Sequence, residues 1–186
     1  MGIPTLIKTQ TASDSASLEF VDGTDDVVLD GTYDEYMFVF TDINPASDSA
    51  NFSFQVNATD DAGGDYDTSV ITSTAFCTWN YETGGTPNIG YSTAQDQAQA
   101  AGFQTIANDC GNGADESCVG ILHLFSPAST TYVKHFCSTF NCYASGDYSF
   151  QFFTSGYIND TTAIDEIQFK MNSGNFDGVI QMYGIA

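Results

Sequence analysis

Residues 163–171 (AIDEIQFKM) and 176–185 (FDGVIQMYGI) place apolar side chains at alternate positions, and this two-residue period constrains the fold more than any other feature. A helix repeats every 3.6 residues, so only an extended strand puts alternate residues on one face. Asn172, Ser173, Gly174 and Asn175 lie between the two runs and are turn formers. Two alternating runs joined by such a turn predict a β-hairpin, with the last residues pinned into a sheet.

The same reading extends along the chain. Short strands are expected at 6–7, 18–21 and 27–29, and a long aromatic strand at 36–41. Phe52, Phe54 and Val56 alternate with Ser53 and Gln55, which predicts one buried and one wet face. Further strands are expected at 66–74, 75–80, 119–125, 132–140 and 148–153. The one helix candidate is 93–101 (TAQDQAQAA), which is too short to be stable alone. About ten strands with at most one short helix predict an all-β fold, an antiparallel β-sandwich of jelly-roll type. No linker or internal repeat interrupts it, so residues 1–186 read as a single domain. The unfamiliar stretch around 80–146 reads as a loop-rich insertion that would protrude from it.

Composition sets the function classes. Of 186 residues, 15 are Phe and 10 are Tyr, enough aromatic mass to fill a β core. Asp and Glu number 24 against three cations, Lys8, Lys134 and Lys170, for a formal net charge of −21. Such a surface repels phosphate, so nucleic acid is not an expected partner. Anionic membrane surfaces are disfavoured for the same reason. The start of the chain lacks the basic and apolar runs of a secretory signal. No segment reaches membrane-spanning length without polar residues. The chain is therefore expected to be made and assembled in a cytoplasm.

Two stretches carry a likeness. The terminal strand contains Met182, Tyr183, Gly184 and Ile185. Near the start, Ser17-Leu18-Glu19-Phe20 is followed by Gly31-Thr32-Tyr33 and the strand Glu35-Tyr36-Met37-Phe38-Val39-Phe40. Then come Asn51 to Val56 (NFSFQV) and the loop Gly63-Gly64-Asp65-Tyr66. In these features the chain resembles small β-sandwich virion proteins of tailed, marine-type bacteriophages that end in an (L/M)-Y-G-I strand. The likeness covers about half the chain and rests on strand and turn residues, so it implies fold and setting more than chemistry. It implies a non-enzymatic structural protein on the virion exterior, most simply a capsid decoration or cement protein. Its partners would be the major capsid protein or other virion proteins, with self-association on the particle. A tail-fibre head that binds a receptor or glycan is the alternative, and a host-side lectin-like module a third.

Several constellations bear on that choice. Trp79, Tyr81 and Glu82 at a strand end are the candidate glycan site, with Tyr91, Asn141 and Tyr143 as further loop candidates. No cofactor is expected except Ca²⁺, for which Asp60, Asp61, Asp65 and Asp67 around a Gly pair are the candidate ligands. Asp22, Asp25 and Asp26 form a second acidic loop. Five cysteines cannot all pair with one another. Cys77 reads as a buried free thiol. Cys110 and Cys118 flank the loop 111–117, and Cys137 and Cys142 flank 138–141, read as a hairpin tip. Either pair would bridge in an oxidising exterior. His123 near Cys118 and His135 near Cys137 raise zinc, but the C-x-x-C spacing is missing, which leaves thiols or a disulfide. Ser138 near His135 lacks the G-x-S-x-G setting of a hydrolase nucleophile.

Overall fold

The computed structural model describes residues 2–66 and 68–186. Every regular element in it is a strand: β1 (Thr5–Ser15), β2 (Leu18–Val21), β3 (Glu35–Pro45), β4 (Ala50–Ala58), β5 (Ile71–Tyr81), β6 (Asn88–Tyr91), β7 (Ala98–Ala100), β8 (Gln104–Cys110), β9 (Cys118–Phe125), β10 (Lys134–Ala144), β11 (Tyr148–Ile158), β12 (Ile164–Met171) and β13 (Phe176–Ile185). All pairings are antiparallel. The all-β antiparallel class read from the sequence is therefore the class observed, with thirteen strands in place of about ten.

The sheet curls into a nearly closed barrel in the order β1-β13-β3-β9-β10-β8-β4-β12-β2. Side chains of β1 reach across the gap: Gln10 Nε2 donates to Glu19 O on β2 at 2.7 Å, and Lys8 Nζ donates to Asp25 O in the loop after β2 at 2.7 Å. From β10 the sheet also continues outward through β11 to β5, which carries β6 and β7 on its free edge. The fork has a simple cause. Tyr143 N donates to Ser117 O and Gly111 N donates to Tyr143 O, at 3.0 and 3.1 Å. The ends of β8 and β9 thus meet the same side of β10, with 111–117 looped out between them.

Phe169 lies at the centre of the interior, its ring centroid 5.1–6.5 Å from those of Phe20, Phe38, Phe40, Phe52 and Phe54. These six rings are essentially inaccessible to solvent. Each contributes about 1.5–3 kcal/mol by burial. Gly120 opposes Phe140, and a Cβ there would stand 2.4 Å from the Phe140 ring, so only glycine admits that ring. At Gly184 a Cβ would stand 2.3 Å from the Tyr33 ring. The Gly31-Thr32-Tyr33 turn and the Met182–Ile185 terminus, far apart in sequence, therefore pack on each other.

Several expectations are corrected. The runs 163–171 and 176–185 are strands but form no hairpin. β12 pairs with β4 and β2, whereas β13 pairs with β1 and β3. The turn between them arches across the interior, held by Asn172 N to Asn51 O and Ala46 N to Asn175 O, at 2.9 and 2.8 Å. Arching lets Phe169 and Phe176 both reach Phe52, at 6.1 and 5.4 Å. A hairpin would have laid them side by side on one sheet. The run 93–101 is a turn followed by β7, not a helix. Its polar groups bond to β5 instead: Gln97 N donates to Ser73 Oγ at 2.9 Å and Gln99 N to Thr72 Oγ1 at 3.2 Å. Residues 27–29 form no strand, although Val27 and Leu29 are buried. Within 80–146, β8, β9 and β10 belong to the barrel wall and bury Ile106, Leu122, Leu124, Phe136 and Phe140. Only the part around β6 and β7 is mostly exposed.

The second face of β4 is not wet. Ser53, Gln55 and Asn57 are buried. Gln55 Nε2 donates to the carbonyls of Ser69, Ala101 and Gly102 at 3.0, 3.0 and 3.3 Å, and its Oε1 accepts Val56 N at 2.9 Å. One amide thus fastens two covering segments. Gln55→Ala is expected to cost about 2–4 kcal/mol, because backbone carbonyls lose their donor in a dry place. Urea unfolding monitored by Trp79 fluorescence measures it, and a loss within experimental error would refute the account.

Protonation of Asp165 should stabilise this protein. Burial, with Glu166 beside it as the lesser cause, holds the Asp165 carboxyl above the ordinary aspartate range. Between the ordinary value and the raised one the folded state binds more protons than the unfolded state, so stability rises as pH falls through the raised value. The repulsion of a −21 chain relaxes in the same direction. Two groups oppose the trend: Cys110, whose thiol is held below the usual cysteine range by hydrogen bonds from Cys118 and Cys142, and, at the acid end only, the exposed Asp30, lowered by hydrogen bonds from Thr32. Calorimetry should find that the change in Tm from about pH 8 to about pH 5 is more favourable in the unaltered chain than in Asp165→Asn, a comparison in which the Cys110 contribution cancels. An equal change in the two proteins would contradict it.

Candidate functional site

Strands β5, β9, β10 and β11 contain no Asp or Glu, in a chain that has 24. They are laid side by side with β3, so their outward residues form one face. The register sets a row across it: Tyr91, Phe76, Phe153, Thr139, Ile121 and Val39 oppose one another on successive strands. Phe76 and Phe153 stack with centroids 4.6 Å apart and planes 12° apart. The next row holds Ser155, Cys137, His123 and Met37. Four of the large exposed apolar side chains lie on this face: Phe76 at 43%, Ile89 at 66%, Tyr91 at 57% and Val119 at 44%. Carboxylates at its margins are engaged: His123 Nδ1 lies 2.5 Å from Glu35 Oε1, and Tyr91 OH donates to Asp96 Oδ2 at 2.6 Å.

This distribution has an energetic meaning. A carboxylate taken out of water without a partner costs several kcal/mol, whereas an apolar side chain gains about 25 cal/mol per Å² covered. The aromatic face can be dried cheaply and the acidic loops cannot. Contact across an acid-poor sheet face is what this arrangement can do chemically.

At one end of the face two hollows adjoin. The first, about 440 Å³, is lined by Thr78, Trp79, Asn80, Pro87, Asn88, Ile89, Ser149 and Gln151. The second, about 380 Å³, is lined by Asn80, Tyr81, Glu82, Asn141, Cys142, Tyr143, Tyr148 and Ser149. The fold thus gathers Tyr81 and Glu82 with Asn141 and Tyr143, four of the glycan candidates. Trp79 is half-buried against Phe150 and Gly90 and is among the residues lining the first hollow. Tyr91 lies away from both, in the aromatic row. A hydrogen bond to Glu82 pushes the Tyr143 hydroxyl up to about 12, so it stays neutral at all ordinary pH.

The acidic candidates divide. Asp60 and Asp61 come within 4.8 Å of Asp160, a residue outside the sequence cluster, and Asp65 is not in the group. Asp67 lies outside the described residues. Asp60 Oδ2 accepts Thr162 Oγ1 at 3.2 Å and Asp61 Oδ2 accepts Thr68 Oγ1 at 2.6 Å. A cation already sits beneath them. Lys134 is fully buried and donates to the backbone carbonyls of Asp160 and Thr162. Desolvation lowers its pKa, and the charges of Asp160 and Asp60 resist that shift.

The cysteines also divide. Cys77 is a buried free thiol. The Cys110 and Cys118 sulfurs stand 2.8 Å apart. Cys137 and Cys142 cannot bridge: 138–141 is no hairpin tip but the middle of β10, and the two residues, five apart, point to opposite faces. Cys142 instead lies 3.7 Å from Cys110. Ser138 is buried inside while His135 is exposed outside, so the sequence-adjacent pair is split as well.

Comparison with known proteins adds no relative: no protein-family model matches the chain, and no curated protein matches it. The sequence reading missed the face itself. Its signal was present, since between Glu116 and Asp160 the only acidic residue is Asp147. That gap gains meaning only when strands from separate parts of the chain are aligned.

Proposed function

We infer that this chain is a non-enzymatic structural protein of the exterior of a tailed phage particle, a capsid decoration or cement protein, and that it docks through the carboxylate-free face of β9, β10, β11 and β5. The observation that supports this reading is the segregation of charge: an aromatic sheet face without acids, on a chain otherwise crowded with them. The face meets an uncharged surface of the shell, and the acidic loops stay in water. The resemblance of the first strands and the Met182–Ile185 terminus supplies the setting. The test is to add the purified chain to particles lacking it and to measure bound copies. Saturation at a number comparable to the shell subunits is expected. Binding confined to the tail, seen by immunogold labelling, would overturn the capsid assignment.

The two hollows favour one second reading, a glycan-binding head. Aromatic side chains beside several amides suit a sugar's apolar face and hydroxyls. On this reading Tyr81→Ala abolishes binding on a glycan array while the Tm changes by less than that of a core substitution. An array with no bound sugar for the unaltered chain removes it.

A further inference from the structure

The structure assigns a soft-metal site to Cys110, Cys118 and Cys142, and we propose that these three sulfurs bind one monovalent copper ion in trigonal coordination. The three residues come from different strands and meet because of the fork at β10. Cys118 opposes Cys142 directly, and Cys110 opposes Ala144 two positions on, so all three side chains enter the same patch of interior. All three sulfurs lie within 4.8 Å of one another, with Cys110 to Cys118 at 2.8 Å and Cys110 to Cys142 at 3.7 Å. With metal–sulfur bonds of about 2.3 Å, a trigonal ion holds its sulfurs about 4.0 Å apart. Small side-chain rotations from the observed positions reach that triangle.

The donor set selects the ion. Thiolates favour soft cations, and structural zinc sites are almost always four-coordinate. Among the described residues no His, Asp, Glu or further Cys joins the three. All three cysteines are at zero solvent exposure, so water is not at hand as a fourth ligand. Three sulfurs in a dry pocket suit a d¹⁰ ion content with three ligands. Loading is a ligand exchange with no change of oxidation state. Copper–sulfur bonds form, and the protons displaced from the thiols pass to buffer. Cys77 and Cys137 stand apart, the first on β5 and the second on the outer face of β10.

The test uses the full chain, reduced with a phosphine under nitrogen and titrated with Cu(I) against bicinchoninate as competitor. One Cu(I) per chain is expected, with an X-ray absorption spectrum showing a first shell of three sulfurs and no nitrogen or oxygen. Cys110→Ser, Cys118→Ser and Cys142→Ser should each weaken binding by at least the roughly 10–100-fold that loss of even an outer-shell partner costs. Cys77→Ser and Cys137→Ser should leave it unchanged. The idea fails if the reduced unaltered chain does not compete for the ion, or if its spectrum contains nitrogen or oxygen donors. It also fails if a Cys110–Cys118 disulfide resists the phosphine and removes two donors. These outcomes are read on the unaltered protein, so a variant that fails to fold does not protect the proposal.

Discussion

Phe169→Ala is expected to remove about 3–5 kcal/mol of folding free energy, the largest loss of any single truncation in this chain. Five other buried phenylalanines have ring centroids within 6.5 Å of Phe169, and they come from β2, β3 and β4. Removing the ring leaves a cavity among side chains fixed on opposite walls of a barrel, which cannot collapse without moving strands. A domain of this size holds about 5–15 kcal/mol in total, so the variant should be partly unfolded near body temperature. Phe153→Ala is the control, since Phe153 is only half-buried on the outer face. Its cost should be markedly smaller. Urea titrations of both variants decide the matter, and equal losses would show that the ring cluster is not the centre of stability.

The second large effect concerns docking. Phe76→Asp and Val119→Asp each place a carboxylate on the acid-free face at a side chain that is more than two-fifths exposed. Folding should tolerate both. Docking should not, because the new charge must be dried without a partner while apolar contact is lost. A loss of about 3 kcal/mol or more in association corresponds to at least about a hundredfold in affinity. Co-sedimentation with particles lacking the chain measures it. Asp26→Asn, which alters an acid away from this face, should bind as the unaltered chain does. Variants with an added Asp that dock normally would sink the proposed surface, whatever the particle's identity.

The alternation of 163–171 and 176–185 revealed strands and hid their partners. Hairpin and arch share the same local signs, two runs and a turn, and differ only in whether the buried faces lie beside or across from each other. The 93–101 run failed for the opposite reason. Its helix propensity was weak, and hydrogen bonds to Ser73 and Thr72 outweighed it. Gln55 reads as a solvent residue by pattern, yet loops distant in sequence cover it. Of the candidate site, Tyr81, Glu82, Asn141 and Tyr143 were each visible as loop or strand-end polar residues, but their meeting in one hollow depends on the β5–β11–β10 register. The pair Cys110 and Cys118 was legible from the short loop between them. Cys142 was assigned to the wrong neighbour because strand parity is invisible until a strand's extent is known.

The sequence by itself determined an extended backbone, an aromatic interior and a heavy negative charge, because side-chain period and composition act locally or in sum. Tertiary structure alone decided which strands adjoin, where the acids are missing and which sulfurs meet. Those are distances between residues far apart along the chain, and they are set by how the barrel closes around Phe169.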